Sequence, residues 1–389
     1  MSKKLQGIRG LILVLLGLAV PVLAGAQRPA GPPFVVNVQT AGLQFATDLA
    51  MDARGDFVVT WVNVPPQTGE SRTILARRFA ADGTPVTGEI LVAQDPLDNH
   101  PAKAVMMADG SFFVVFPVFP DLVARRYGPD GSFAGETVVA RQIERNPYGV
   151  AARPQGGFAL VFARNDSKLF TRILGAGGEP DGSERRFARG TSPVIAAGPD
   201  GGFVVAWIVP QEVPDQPHIA DYYLFAQRFD ANGAPSGDRI AVQGRLRDVL
   251  HSLGIAEDQE GNFLVFWYGA GILGTGGNRE TEAGVVARRF AADGTPRTGL
   301  LRLTGDRTQS FALAMDWAGN FVIAWDQPSL NPPGILTQRF TADGAPLRQP
   351  LSVDPQGRGP LVASDANGNF VLVWSGLNEE ILAQRFRKR

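Results

Sequence analysis

Hydrophobic positions along the chain return in one recurring group: Gly-x-Phe, three mostly apolar residues, then Trp or Phe. Seven copies occur, from Phe57 to Trp61, Phe112 to Phe116, Phe158 to Phe162, Phe203 to Trp207, Phe263 to Trp267, Phe321 to Trp325 and Phe370 to Trp374. Successive Phe positions lie 55, 46, 45, 60, 58 and 49 residues apart, the span of one supersecondary unit per repeat. Each copy is β-branched and aromatic with both faces apolar, as a strand reads when it is covered on both sides.

The companions of this central strand also repeat. Upstream lies a short apolar strand, Asp48 to Met51 in the first copy and Leu361 to Ser364 in the last, joined by turns such as Asp316-Trp317-Ala318-Gly319-Asn320. Downstream comes a third strand of the form Ile-Leu-Ala-Gln/Arg-Arg-Phe, as at Ile74 to Phe79, Val285 to Phe290 and Ile381 to Phe386. Five of the third strands lead into Asp-Gly or Asn-Gly, at Asp82, Asp130, Asn232, Asp293 and Asp343. These residues tolerate positive φ and so favour tight hairpins. A fourth strand follows, as at Glu89 to Val92 and Arg239 to Val242. The seventh repeat stops after its third strand, and Pro33 to Val38, ahead of the first repeat, reads as the missing fourth. The expectation is an all-β, seven-bladed ring of four-stranded antiparallel blades over residues 33–389, closed by its N-terminal strand, with no open edge left between the ends.

This pattern resembles the β-propeller superfamily over nearly the whole chain, and Val-Ala-x-Asp-x-x-Gly-Asn-Phe-Val-Val is similar to NHL-type repeats and to repeats of exported bacterial proteins. The docking pattern of quinone-dependent propeller dehydrogenases, the sialidase Asp-box and the WD40 spacing are not found, so the resemblance implies architecture rather than a particular activity.

Ahead of a Pro-rich segment at 27–32, Lys3, Lys4 and Arg9 precede an apolar run from Leu11 to Ala24 that ends in Ala24-Gly25-Ala26. This reads as an export signal over residues 1–26. Its removal would take the formal charge of the chain from −1 to −4. The expectation is therefore a periplasmic or extracellular protein, monomeric, with no stable membrane span after processing. With no Cys, thiol catalysis and thiolate zinc are excluded, and a weakly acidic balance gives no field to attract nucleic acid.

Residues present in every blade are read as structural. The paired third-strand cations, such as Arg77 with Arg78 and Arg288 with Arg289, are expected to pair with turn carboxylates or aromatic faces rather than bind a polyanion. The Asp-x-x-Gly-Asn turns carry one carboxylate each, against the six to eight oxygens that calcium takes, so they are assigned to turn chemistry. Function is sought where blades differ. Connections between second and third strands share one end with the links between blades, and they are irregular there; Ile208 to Tyr223 and Tyr268 to Gly284 are the longest. A site is expected at that end, on blades four and five first. Its candidates are His100, His218 and His251, the link cations Arg145, Arg189, Arg247, Arg307 and Arg358, which would favour an anionic ligand, and Tyr222, Tyr223 and Tyr268, which offer stacking surface. No metal site or cofactor is expected, since no His pair has ligand spacing. The expected role is a non-catalytic scaffold for a protein or glycan partner. The alternative is a glycoside hydrolase or lyase using carboxylates from Asp98, Glu212, Asp215, Asp221, Glu280 and Glu282.

Overall fold

The structure is a computed structural model that describes residues 28–66, 71–94, 101–143, 148–164, 166–213, 216–246, 252–269, 284–305, 308–327 and 334–388. It forms a seven-bladed β-propeller. Six antiparallel sheets of four strands each take their strands from consecutive sequence: 43–94, 103–140, 149–189, 191–246, 253–302 and 311–354. The seventh holds Arg358–Ser364, Phe370–Ser375 and Ile381–Arg387, and is completed from the other end of the chain. The first strand of every blade touches the first strands of both neighbours, blade 7 back to blade 1 included, so these seven strands surround the axis.

Ring closure takes the expected form and reaches further than expected. Phe34 and Val35 pair antiparallel with Ala383 and Leu382, and the Val36 N–H donates to the Ile381 carbonyl at 2.8 Å. Pairing already begins at Arg28 and Pro29, opposite Arg387 and Phe386, within the segment read from sequence as Pro-rich and ahead of the first strand.

Each blade has two apolar faces because it lies between two neighbours. In blade 1, Phe57, Val59 and Trp61 pack with Val371, Val373 and Ile381 of blade 7. Val58, pointing the other way, packs with Phe112, Val114 and Phe116 of blade 2. The same alternation produces seven separate cores, one at each junction. Within a blade the repeat Phe stacks across the hairpin on the aromatic that ends the third strand, as in Phe57 on Phe79 (5.0 Å), Phe203 on Phe229 (4.9 Å) and Phe370 on Phe386 (4.6 Å). Such pairs add about 0.5–1.5 kcal/mol beyond the area they bury.

The structure differs from the sequence reading at one of the two longest connections. Strands Phe203–Val213 and Gln216–Phe229 run on as a paired ribbon, Val209 opposite Tyr223 and Gln211 opposite Asp221, where an irregular loop from Ile208 to Tyr223 was expected. Pro210, Gln211, Glu212 and Asp221 look loop-like as residues. These polar positions and Pro210 interrupt the apolar alternation that marks the other strands, and the register here comes from the ladder the ribbon extends.

Candidate functional site

At one end of the ring lie the turns between first and second and between third and fourth strands. There the repeated polar residues bind the blades to each other. The second cation of the third strand reaches forward. Arg78 donates to the Pro129 carbonyl of blade 2 at 2.9 Å and to Asp56 of its own blade at 2.6 Å. Arg289 donates to the Gly319 and Ala342 carbonyls of blade 6 at 2.7 and 3.0 Å and to buried Asp258. The first cation reaches back to the outer strand of the preceding blade: Arg77 to the Val36 carbonyl at 2.7 Å, Arg172 to Val139 at 2.9 Å and Arg288 to Val242 at 3.0 Å. Val36 thus takes in blade 7 the place that Val139 and Val242 hold in blades 2 and 4. The turn carboxylates are occupied as well, since Asp258 Oδ1 accepts the N–H groups of Glu260 and Asn262 at 2.9 Å each. Among the described residues no group of three His, Asp or Glu is arranged to hold a metal ion.

Departures from the repeat in blades 3 and 4 of this network are compensated. Blade 3 carries Ile173 where its neighbours carry the forward-reaching Arg, and Arg153 where blades 1, 5, 6 and 7 carry the turn Asp. Arg153, starting from the turn, donates to Gly201 and Ala231 of blade 4 at 3.2 and 2.7 Å, the carbonyls corresponding to those Arg289 uses. Blade 4 has Gly198 in the Asp position. Glu257 of blade 5, where the other blades have Met, Ala or Ser, fills that space: its Oε1 pairs with Arg228 at 2.7 Å and would lie 2.8 Å from a Cβ on Gly198. Glu257 Oε2 has no hydrogen-bond partner among the described residues. Burial pushes this carboxyl up to about 7, against the opposing pull of Arg228.

The opposite, connection-rich end is where the site was expected. His100, His251, Arg145, Arg247 and Arg307 lie outside the described residues, as do Asp98, Asp215, Glu280 and Glu282; the side chains of His218 and Glu212 do too. Arg358 and Arg189 are exposed at this end. Tyr222 packs against the core between blades 4 and 5, and Tyr268 against that between blades 5 and 6. Tyr223 is half-buried opposite Val209. The described candidates are therefore spread over blades 3, 4, 5 and 7, with Tyr222 and Tyr223 adjacent on one strand of blade 4, and do not converge. Asp221 is buried in the ribbon, 8% exposed.

A different feature stands at this end, at the seam of blades 7 and 1. Buried Asn37 donates to the Gln39 and Glu379 carbonyls at 2.9 and 3.2 Å and to Gln44 Oε1 at 3.1 Å, and accepts the Ile381 N–H at 2.8 Å. The Gln44 N–H donates to Glu379 Oε2 at 3.3 Å. This knot pins the link after the closing strand to the 376–380 turn of blade 7. Val38 and Leu377, on the two tied segments, are 65% and 62% exposed, and Leu43 and Phe45, on either side of Gln44 in strand Leu43–Met51, are 50% and 51% exposed. The sequence reading missed them because it began this strand at Asp48. The signal was Leu-Gln-Phe, alternating directly into the first strand.

No protein-family model matches the chain, and no curated protein matches it. Among solved structures, a protein of unknown function from Dyadobacter fermentans DSM 18053 is similar with a TM-score of 0.52 at 13% identity, over 93% of this chain and 99% of that one. A chain in the crystal structure of the mitotic checkpoint complex is similar with a TM-score of 0.50 at 10% identity, over 98% and 99%. At such identities the likeness shows the shared fold, which in this chain is the seven-bladed propeller.

Proposed function

We propose that the protein is an exported binding scaffold whose connection-rich end docks a protein partner, with Val38, Leu43, Phe45 and Leu377 as its apolar contacts. The observation that carries this reading is the exposure of these four side chains around a buried, fully hydrogen-bonded knot. Rigid backbone carrying exposed apolar side chains at the irregular end of a scaffold favours association, because the contacts are already ordered before binding. The export reading rests on the basic, apolar and small-residue pattern of residues 1–26.

Photo-cross-linking in the exported fraction tests both parts. A cross-linker at Phe45 or Leu377 is expected to give a discrete adduct that a cross-linker at Val86, exposed at the turn end, does not give. Leu43→Ser should weaken it. Retention of the chain in the cytosol would refute export, and equal adducts from Val86, or none from Phe45 and Leu377, would refute the docking end.

A further inference from the structure

We infer that the outer edge of blade 3, on its side toward blade 2, is a binding strip for a linear carboxylated polysaccharide. Pro180–Arg189 is the outermost strand of blade 3, and among the described residues no strand lies beyond it. Phe170 and Arg172 of the neighbouring strand face blade 2, as the packing of Phe170 and the Arg172 to Val139 hydrogen bond show. Arg186 lies opposite Phe170 and Arg189 opposite Lys168, on that same side. Both arginines are exposed.

The charges already present there leave a surplus. Glu184 is shared by Arg164 at 2.7 Å and Arg172 at 3.2 Å, Asp166 is held by Lys168 at 3.0 Å, and Asp121 of blade 2 by Arg141 at 3.0 Å. Arg189 lies near enough to Asp166 to help lower its pKa, behind Lys168. Six cations therefore face three carboxylates, in a chain whose formal charge is −1. The third-strand guanidinium groups Arg77, Arg78, Arg172, Arg228, Arg288 and Arg289 are occupied by carbonyls and turn carboxylates; Arg186 and Arg189, beside the partly paired cations of this edge, form no ion pair among the described residues.

The shape of the strip selects the ligand. Phe187 is an extra, bulged residue between them, so Arg186 and Arg189 lie opposite Phe170 and Lys168, two residues apart, and at about 3.3 Å per residue stand about 7 Å apart along the strand, in line and one strand wide. A guanidinium fork matches a carboxylate in two hydrogen bonds. A narrow polymer with a carboxylate on each sugar can follow such a line, whereas a duplex or an anionic bilayer would also bring its charge against the acidic remainder of the surface. The strip lies apart from the apolar residues of the blade 7 and blade 1 seam, and its test is independent of theirs.

The test uses the full mature chain and fluorescently labelled polygalacturonate oligomers, read by anisotropy. Binding is expected at about 20 mM NaCl and roughly tenfold weakening at about 200 mM, as screening of exposed charges requires. Arg186→Gln with Arg189→Gln should weaken binding roughly tenfold with an unchanged melting temperature, while Arg297→Gln with Arg348→Gln, exposed on blades 5 and 6, should stay within about twofold. No binding at low salt, equal loss in both double variants, or comparable binding of neutral dextran would overturn the inference. Tighter binding of duplex DNA or anionic vesicles would overturn the choice of polymer.

Discussion

The turn end and the connection end of the ring use the same kinds of residue for different purposes. At the turn end, arginines and carboxylates are buried or half-buried and lock each blade to the next, as Arg289 does with Asp258 and two carbonyls of blade 6. Substitutions there are matched by others nearby: Arg153 serves where Ile173 cannot, and Glu257 serves where Gly198 cannot. At the connection end, polar groups are buried in the Asn37 and Gln44 knot and apolar side chains face outward. The first arrangement is dictated by the need of every blade for a neighbour. Among the described residues the second stands at the seam of blades 7 and 1, and what is not repeated from blade to blade is open to function.

Three experiments would break or sharpen this contrast. The largest effect is expected from a chain beginning at Ala41. It loses the closing strand, the Val36 carbonyl that Arg77 uses and the Asn37 knot, and exposes the edge of strand Ile381–Arg387. Its melting temperature should fall by roughly 10 °C or more, with self-association on size-exclusion chromatography. Melting like the longer chain would show that closure is dispensable.

Next comes Arg289→Ala. Both Arg289 and Asp258 side chains are 3% exposed, so the variant strands a buried carboxylate and should lose about 3–5 kcal/mol in urea unfolding. Arg297→Ala, exposed nearby in sequence, should change stability by no more than about 0.5 kcal/mol. Equal effects would remove the distinction between locking and solvated cations.

The smallest effect concerns pH. The Glu257 carboxyl is raised from 4.5 to about 7 in the folded protein. Below pH 4.5 both states hold the proton; between 4.5 and 7 the unfolded chain releases it while the folded chain keeps it, so this residue's contribution falls as pH rises through that window. Compared with Glu257→Gln, the wild-type protein should lose about 1–3 kcal/mol between acid and neutral pH. Parallel pH profiles for the two would show that Glu257 is no more desolvated than a surface carboxylate.

Much of this architecture was legible before any coordinates, and its limits follow from the range of the forces involved. The apolar strands with their Asp-Gly turns, the number of blades and the role of Pro33 to Val38 are local patterns repeated seven times, and repetition makes a weak local signal decisive. The structural reading of the paired arginines was legible for the same reason. The partners of those arginines were not. Arg153 meets Ala231 across 78 positions of sequence, and Glu257 meets Arg228 across 29 and across a blade boundary. The ribbon beyond Ile208 looked like a loop because Pro210, Gln211, Glu212 and Asp221 interrupt the apolar alternation.

The sequence by itself determined that strands form, where they turn and how many blades they build, since side-chain period and turn chemistry act within a few residues. Only the tertiary structure decided which charges are consumed and which remain free, and which apolar side chains stay uncovered. Burial and ion pairing depend on neighbours that the ring supplies from other blades. Arg172 and Arg186 belong to one blade and one residue type; the ring gives the first a carbonyl of blade 2 and leaves the second facing solvent.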